Sequence, residues 1–273
     1  STTPDAPDFG SRRGFAFLRI LLCVTRSGIY DMRYSKGQRT FHIRTYGCQM
    51  NERDSEALTC LLESRGFTHV CDEAEADVLL FNTCSVRDQA ERKVFGKIGL
   101  LKRVKRERPH IRIGVLGCMA QNYGEDILRR LPHVDFVVGT DQLQKVPHII
   151  QALDCGDVGG VHVEKGRAVL ESMIDHRPGN VSAFVSVMRG CNQFCTYCIV
   201  PYVRGREKSR SPEAILKEVK SVVAAGAREI VLLGQNITAY GMAEARRTGV
   251  YDTGTSPFAE LLRQIHEIPE VAR

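Results

Sequence analysis

Apolar positions recur along the chain with two periods, and the two alternate. Thr40 to Tyr46 places Phe41 and Ile43 on one face, the two-residue period of a strand. The loop Gly47-Cys48-Gln49-Met50-Asn51 follows. Glu52 to Arg65 then reads as a helix, with Ala57, Leu58, Leu61 and Leu62 on one face and Gly66 as its stop. The unit recurs. Asp77 to Asn82, with the continuous apolar run Val78-Leu79-Leu80-Phe81, predicts a buried strand. Cys84 comes directly after it, and a helix runs from Val86 to about Arg108, ended by Pro109. Ile111 to Leu116 predicts a third strand, with Cys118 in the loop and a helix from Asn122 to Leu131. Val134 to Val138 and a helix from about Asp141 to Leu153 complete the series. Strands that alternate with helices imply a parallel sheet with helices on its faces.

Residues 155–180 are rich in Gly, His and charge and read as a linker with one short strand. A second series follows. Val181 to Met188 predicts a strand, and Cys191 to Cys198 lies in the loop after it. Ser211-Pro212-Glu213 opens a helix to about Ala225, with Ser as cap and Pro at the first helical position. Glu229 to Leu233 is the next strand and Pro257 to Glu267 the next helix. Residues 1–39 show no clear period and read as a poorly ordered leader. The expected organisation is therefore 1–39 leader, 40–154 α/β domain, 155–180 linker and 181–273 second α/β domain.

Composition adds little until the cysteines are counted. The 273 residues are 43% hydrophobic and 26% charged, an ordinary globular balance. A net charge of +6, from 38 basic and 32 acidic residues, suits a nucleic-acid partner without demanding one. No apolar run is long enough to span a bilayer. The nearest, Phe15 to Val24, is interrupted by Arg19, and no small-residue cleavage site follows it. Between Arg12 and Arg39 the only acid is Asp31, so an organelle transit segment is the alternative to a plain leader.

The ten cysteines do not fall into tidy pairs, which favours metal ligands or nucleophiles over disulfides. Cys191-x-x-x-Cys195-x-x-Cys198 puts three thiols in one short loop. Four-iron clusters normally take four cysteines, so three leave one iron open for a reacting molecule. A structural zinc site would favour closer pairs and a fourth ligand. Cys48, Cys84 and Cys118 are far apart in sequence, yet each follows a strand of the same expected parallel sheet. Loops at the carboxyl ends of parallel strands share one edge, so these three thiols can meet as a second open cluster. The alternative is three separate buried thiols. Cys23, Cys60, Cys71 and Cys155 lack such placement.

The chain resembles the methylthiotransferase family, in particular its MiaB-type tRNA branch. The resemblance runs from about residue 40 to the end. It rests on Thr45-Tyr46-Gly47-Cys48-Gln49-Met50-Asn51, on Asn82-Thr83-Cys84-Ser85-Val86-Arg87-Asp88-Gln89-Ala90-Glu91 and on Gly117-Cys118-Met119-Ala120-Gln121. It rests equally on Arg189-Gly190-Cys191 through Cys198, on Ile199-Val200-Pro201-Tyr202-Val203-Arg204-Gly205-Arg206-Glu207 and on Gly234-Gln235-Asn236.

The fold this resemblance implies is α/β: an N-terminal parallel-sheet βα domain followed by the first βα units of a radical S-adenosylmethionine (partial TIM-like) barrel. It implies two 4Fe-4S clusters. The one on Cys191, Cys195 and Cys198 would cleave S-adenosyl-L-methionine, with Tyr197, Gln235 and Asn236 in the vicinity of that cofactor. The one on Cys48, Cys84 and Cys118 would carry the sulfur to be transferred. The implied substrate is tRNA bearing N6-isopentenyladenosine at position 37, methylthiolated at C2, with a flavodoxin- or ferredoxin-type electron donor. A cytoplasmic monomer without membrane attachment is expected, a mitochondrial location being the alternative should the leader be a transit segment.

Members of the family continue through a fuller barrel and a small RNA-binding β domain. Only about two barrel units are present here, so a fragment is expected. The alternative substrates are threonylcarbamoyl-adenosine tRNA or a ribosomal protein. A non-catalytic iron–sulfur or RNA-binding fragment is the alternative from another class. Arg204, Arg206, Lys208 and Arg210, which flank the expected site, are the candidate RNA contacts. The run Lys102, Arg103, Lys105, Arg106 and Arg108 reads as a solvated helix end.

Overall fold

The computed structural model describes residues 23–25, 28–30, 39–86, 88–165, 175–248 and 256–273. The chain divides into two units, residues 1–37 and residues 38–273. In the first, β1 (Cys23–Thr25) and β2 (Gly28–Tyr30) pair antiparallel. The rest of the expected leader, and with it most of the run Phe15–Val24, lies outside the described residues. Among the described residues no helix is long and apolar enough to cross a membrane.

The second unit follows the alternating pattern. β3 (Thr40–Tyr46) leads into α1 (Gln49–Ser64), and the short β4 (Thr68–His69) follows. β5 (Val78–Thr83) is joined by α2 (Asp88–Glu107) to β6 (Arg112–Gly117). The helix expected over Asn122 to Leu131 is two helices, α3 (Cys118–Tyr123) and α4 (Glu125–Arg130), because Gly124 between them has positive φ. β7 (Phe136–Val138) and α5 (Val146–Asp154) follow. The expected linker contains β8 (Val161–His162).

These strands form one six-stranded parallel sheet in the order β4-β3-β5-β6-β7-β8. Both faces are covered, as an all-parallel sheet requires. Val78 and Leu80 point to one side with Phe41, Leu116 and Phe136, and there meet Leu58 and Leu62 of α1 and Ile149 and Ile150 of α5. Leu79 and Phe81 point to the other side with Ile113 and Val115, and meet Val94, Ile98 and Leu101 of α2. This alternation is the two-residue period of a strand seen from within the core.

The second βα series begins with β9 (Ser182–Ser186) and β10 (Met188–Arg189). The one-turn α6 (Val200–Val203) and β11 (Lys208–Ser209) follow, and β11 pairs antiparallel with β10. Next come α7 (Pro212–Ala224), β12 (Glu229–Leu233), α8 (Met242–Thr248) and α9 (Pro257–His266). The Ser211 hydroxyl accepts the Ala214 amide at 3.3 Å, so α7 starts where its Ser-Pro-Glu signal placed it. β9 and β12 are parallel neighbours in register from Ser182–Glu229 to Ser186–Leu233. Val185, Val187, Ile215, Val219, Leu261 and Ile265 form the core beneath them.

The two series meet through a buried ionic network on α1. Arg53 Nη2 donates to Glu218 Oε1 of α7 at 3.4 Å, and Arg210 Nη1 lies 2.5 Å from Glu218 Oε2. His176 sits between the helices, its Nε2 2.6 Å from Glu218 Oε1 and its Nδ1 3.3 Å from Glu56 Oε2. Burial works against charge on this imidazole. The hydrogen bond to Glu218 and the neighbouring Glu56 carboxylate outweigh burial and raise its pKa above the ordinary 6.5. The two carboxyls, Glu218 buried and Glu56 half-buried, are held below 4.5 against the cost of burial, with His176 as their strongest stabilising partner.

The signs give a window. The His176 contribution is complete below pH 6.5 and is lost as pH rises through its raised value. The carboxylate contributions are complete above pH 4.5 and are lost as pH falls through their lowered values. The clamp is therefore strongest at mildly acidic pH. His176→Gln is expected to remove about 1.5–3 kcal/mol at pH 6, the range for charge-assisted hydrogen bonds, and less at pH 9. Urea midpoints of parent and variant across that range check it. A parallel offset at every pH would show that His176 does not titrate within the clamp.

Candidate metal centre

Strand order and register bring three of the singled-out cysteines to one edge. The sheet order reverses between β4-β3 and β5, which makes the β3/β5 crevice a switch point, where open α/β sheets place their sites. Tyr46, Thr83 and Gly117 are in register across β3, β5 and β6. Cys48 lies two residues beyond Tyr46, Cys84 one beyond Thr83 and Cys118 one beyond Gly117. With strands about 4.8 Å apart, three thiols at these positions fall within one small volume.

The motif residues around them do structural work. Cys48 is the N-cap of α1, and its carbonyl accepts the amides of Asn51 and Glu52. Asn51 Oδ1 accepts the Cys48 amide at 3.5 Å and lies 3.3 Å from its sulfur. Asn51 Nδ2 donates to Asn82 Oδ1 at 3.1 Å, and Asn82 Nδ2 donates back to the Asn51 carbonyl and to Ser55 Oγ, both at 2.9 Å. The two asparagines thus tie the start of α1 to the end of β5. A side chain at Gly47 would bring its Cβ within 2.7 Å of Cys84 Cβ. One at Gly117, where φ is +86°, would stand 2.2 Å from Asn82 Oδ1. The chain can approach this closely only through glycine.

The Cys48 and Cys84 thiols act on each other's ionisation. The Cys84 S–H stabilises the Cys48 thiolate, whose pKa falls to about 5 despite burial, with the Asn51 amide and the Arg204 charge helping. The Cys84 thiol is pushed up by the same interaction and by its burial. Cys118 is buried, and Arg204 Nε donates to its sulfur at 3.1 Å. Among the described residues, no three His, Cys, Asp or Glu side chains already stand as ligands about one point. The donor chemistry nonetheless fits an iron–sulfur group: thiols at one edge, beside a buried guanidinium whose Nη2 has no hydrogen-bond partner.

Cys191, Cys195 and Cys198 lie in one loop at the carboxyl end of β9 and β12. Cys191 is buried, Cys195 exposed and Cys198 half-buried. The Cys191 amide donates to the Gly205 carbonyl at 3.2 Å and the Cys198 amide to the Cys195 carbonyl at 2.9 Å, so the loop is folded back on itself. Phe194, at its apex, has positive φ, with Arg206 over its ring at 5.8 Å and Tyr202 edge-on at 6.0 Å. Tyr197 is 91% exposed. Gln235 Oε1 accepts the Gly190 amide at 2.6 Å and so fixes the turn that enters Cys191, while Asn236 Oδ1 accepts the Thr238 hydroxyl at 3.4 Å.

The four basic residues expected at an RNA surface divide. Arg206 and Lys208 are exposed. Arg204 and Arg210 are buried and face inward, which corrects the expectation for them. Arg204 Nη1 donates to Asp54 Oδ2 at 2.7 Å, and Arg210 Nη1 donates to the Ser186 carbonyl at 2.8 Å beside its pairing with Glu218. A buried carboxylate needs an equally buried cation, and each arginine meets one. Asp54 takes a second arginine, Arg189. In the α2 run, Lys105 Nζ pairs with Asp135 at 2.7 Å and Arg108 Nη2 donates to the Ala76 carbonyl at 3.0 Å, so part of that run is also structural. Cys60 and Cys155 are half-buried and Cys71 is exposed. Sequence reasoning missed Asp54, Glu218 and Arg189, whose charges sit where the apolar period gives no signal.

Comparison with known proteins joins the two halves. Residues 40–139 match the model of uncharacterized protein family UPF0004, and residues 185–271 match the radical SAM superfamily. A radical S-adenosylmethionine methyltransferase, TsrM, from Kitasatospora setae shares the fold, with a TM-score of 0.55 at 13% identity over 84% of this chain and 58% of that one. Fold and matches together define a radical SAM protein with a parallel-sheet region before its barrel strands.

Similar curated proteins are tRNA-2-methylthio-N(6)-dimethylallyladenosine synthases. That of Clostridium botulinum (strain Alaska E43 / Type E3) is 46% identical over 243 residues, covering 87% of this chain and 51% of that protein. That of Halalkalibacterium halodurans is 41% identical over 272 residues, covering 98% and 49%. The chain belongs to the MiaB-type methylthiotransferase family. It spans about half the length of the curated relatives it matches. Membership implies S-adenosylmethionine and 4Fe-4S clusters as cofactors.

Proposed function

We propose that this chain carries the cluster-binding machinery of a tRNA methylthiotransferase, which adds a methylthio group to C2 of N6-isopentenyladenosine in tRNA. The observation that supports this reading is the placement of Cys48, Cys84 and Cys118 just beyond registered strand ends, with a residue six places beyond Cys198 bonded to one of them. Cys48, Cys84 and Cys118 hold one 4Fe-4S cluster, and Cys191, Cys195 and Cys198 hold the other. When bound, the second cluster with S-adenosylmethionine supplies the radical chemistry that an unactivated carbon such as C2 requires.

The chain's own residues prepare both places. The Asn51–Asn82 pair sets the entry of α1, Gln235 sets the turn before Cys191, and the exposed Tyr197, with Asn236, is assigned to the cofactor. Arg206 and Lys208, both exposed, are assigned to tRNA phosphates. A flavodoxin- or ferredoxin-type donor supplies electrons, and the protein works as a monomer.

The test is anaerobic reconstitution of the 273-residue chain, followed by incubation with hypomodified tRNA and mass analysis of the nucleosides. Methylthio-isopentenyladenosine is the expected product. Reductive S-adenosylmethionine cleavage, measured in the same tubes, separates the outcomes. Cleavage with product only on threonylcarbamoyl-adenosine tRNA or a ribosomal protein would reassign the substrate. Clusters loaded without cleavage would leave a non-catalytic binding role.

A further inference from the structure

Arg204 belongs in sequence to the Cys191 loop and in space to the other thiol group. Its side chain is 3% exposed. Two of the three guanidinium nitrogens are engaged: Nε donates to Cys118 Sγ at 3.1 Å and Nη1 donates to Asp54 Oδ2 at 2.7 Å. Asp54, 1% exposed, is itself held by Arg189, two residues before Cys191. The remaining nitrogen, Nη2, is buried and makes no hydrogen bond to the protein. A buried N–H pair without an acceptor is costly, and native interiors keep such groups for a purpose. The position also needs arginine's shape, because a lysine ammonium keeps the charge but cannot hold a sulfur and a carboxylate in fixed directions while presenting a third donor.

We propose that Arg204 is a positioning residue for the iron–sulfur group on Cys48, Cys84 and Cys118: it fixes the Cys118 sulfur, donates through Nη2 to the sulfur-rich group bound there, and ties that group's reduction potential to the docking of the Cys191 loop. The proposal rests on the reading that these three cysteines hold a cluster. A fixed cation and hydrogen bonds to cluster sulfurs favour the reduced, more negative state, so they raise the potential. Arg204 and Arg189 come from either side of the Cys191 loop and share one carboxylate. Displacement of that loop would therefore be felt at the neighbouring thiols through Asp54 and Arg204.

The experiment uses the full chain carrying Cys191→Ala, Cys195→Ala and Cys198→Ala, so that any cluster reports on the first triad alone. Arg204→Gln and Arg204→Lys are made in that background. Three quantities are read after anaerobic reconstitution: iron content, the midpoint of an EPR-monitored redox titration, and the nitrogen coupling to the reduced cluster in protein labelled with 15N-arginine. The expected result is an arginine coupling in the parent that vanishes in both variants. The midpoint should move to lower potential in Arg204→Gln and only part of the way in Arg204→Lys. Should Arg204→Gln fail to fold, Arg204→Lys still decides, because it keeps the buried charge. A parent that binds iron but shows no arginine coupling, or a midpoint unmoved by both variants, overturns the proposal and leaves the cluster reading intact. A parent that binds no iron overturns both.

Discussion

Asp54→Ala is expected to cost about 3–5 kcal/mol of folding stability, among the largest effects of any single substitution in this chain. Asp54 lies on α1 and is 1% exposed. It compensates Arg189 and Arg204, whose side chains are 14% and 3% exposed, so its removal leaves two cations buried with little acceptor capacity. The loss comes chiefly from the stranded charges rather than from a deleted contact. Asp54→Asn, which keeps the shape and one acceptor oxygen, should fall between parent and alanine. Removing all three charges together, as Asp54→Leu with Arg189→Met and Arg204→Met, should recover much of the loss, since apolar groups of similar volume often replace buried ion pairs without penalty. Urea unfolding monitored by circular dichroism checks the series. A loss below about 1 kcal/mol for Asp54→Ala would mean that water reaches these guanidinium groups, contrary to their burial.

The second large effect concerns metal content. The parent chain is expected to take up about eight irons, and changing either cysteine triad to alanine should remove about four while sparing the rest. The two losses should also differ in kind. Loss of Cys191, Cys195 and Cys198 should abolish reductive S-adenosylmethionine cleavage. Loss of Cys48, Cys84 and Cys118 should spare cleavage and abolish sulfur transfer. Iron and sulfide analysis beside a cleavage assay reads both. If changing one triad emptied both sites, the thiols would belong to one centre and the two-site reading would fall.

Much of this architecture was legible because it rests on periodicity. The apolar run at Val78–Phe81 could only be a strand covered on both faces, and each of Cys48, Cys84 and Cys118 could be placed after a strand before any register was known. Register then supplied what the sequence lacks, the alignment of Tyr46, Thr83 and Gly117 that converts three separate loops into one edge. Short elements escaped for the opposite reason. β4 and β8, two residues each, owe their form to neighbouring strands rather than to any pattern of their own. Gly124 in the expected Asn122–Leu131 helix was visible, but its positive φ was not.

The basic residues were read least well. Arg204 and Arg210 look in sequence like Arg206 and Lys208, and nothing local distinguishes a cation facing solvent from one facing a buried carboxylate. The partners that decide it, Asp54 and Glu218, lie 150 residues before Arg204 and eight after Arg210 respectively.

The polar face of α1 also bears on how the chain is made. The partners of Asp54 follow it by 135 and 150 residues. At about 5–20 residues per second, a ribosome delivers Asp54 some 7 to 30 seconds before Arg189 and Arg204. Through that interval the helix can lie on the finished strands by its Leu58 and Leu62 side while its charged side remains in water. The nascent sheet thus gains its apolar cover early and without penalty. Burial of the charges is deferred until the polypeptide that neutralises them has emerged.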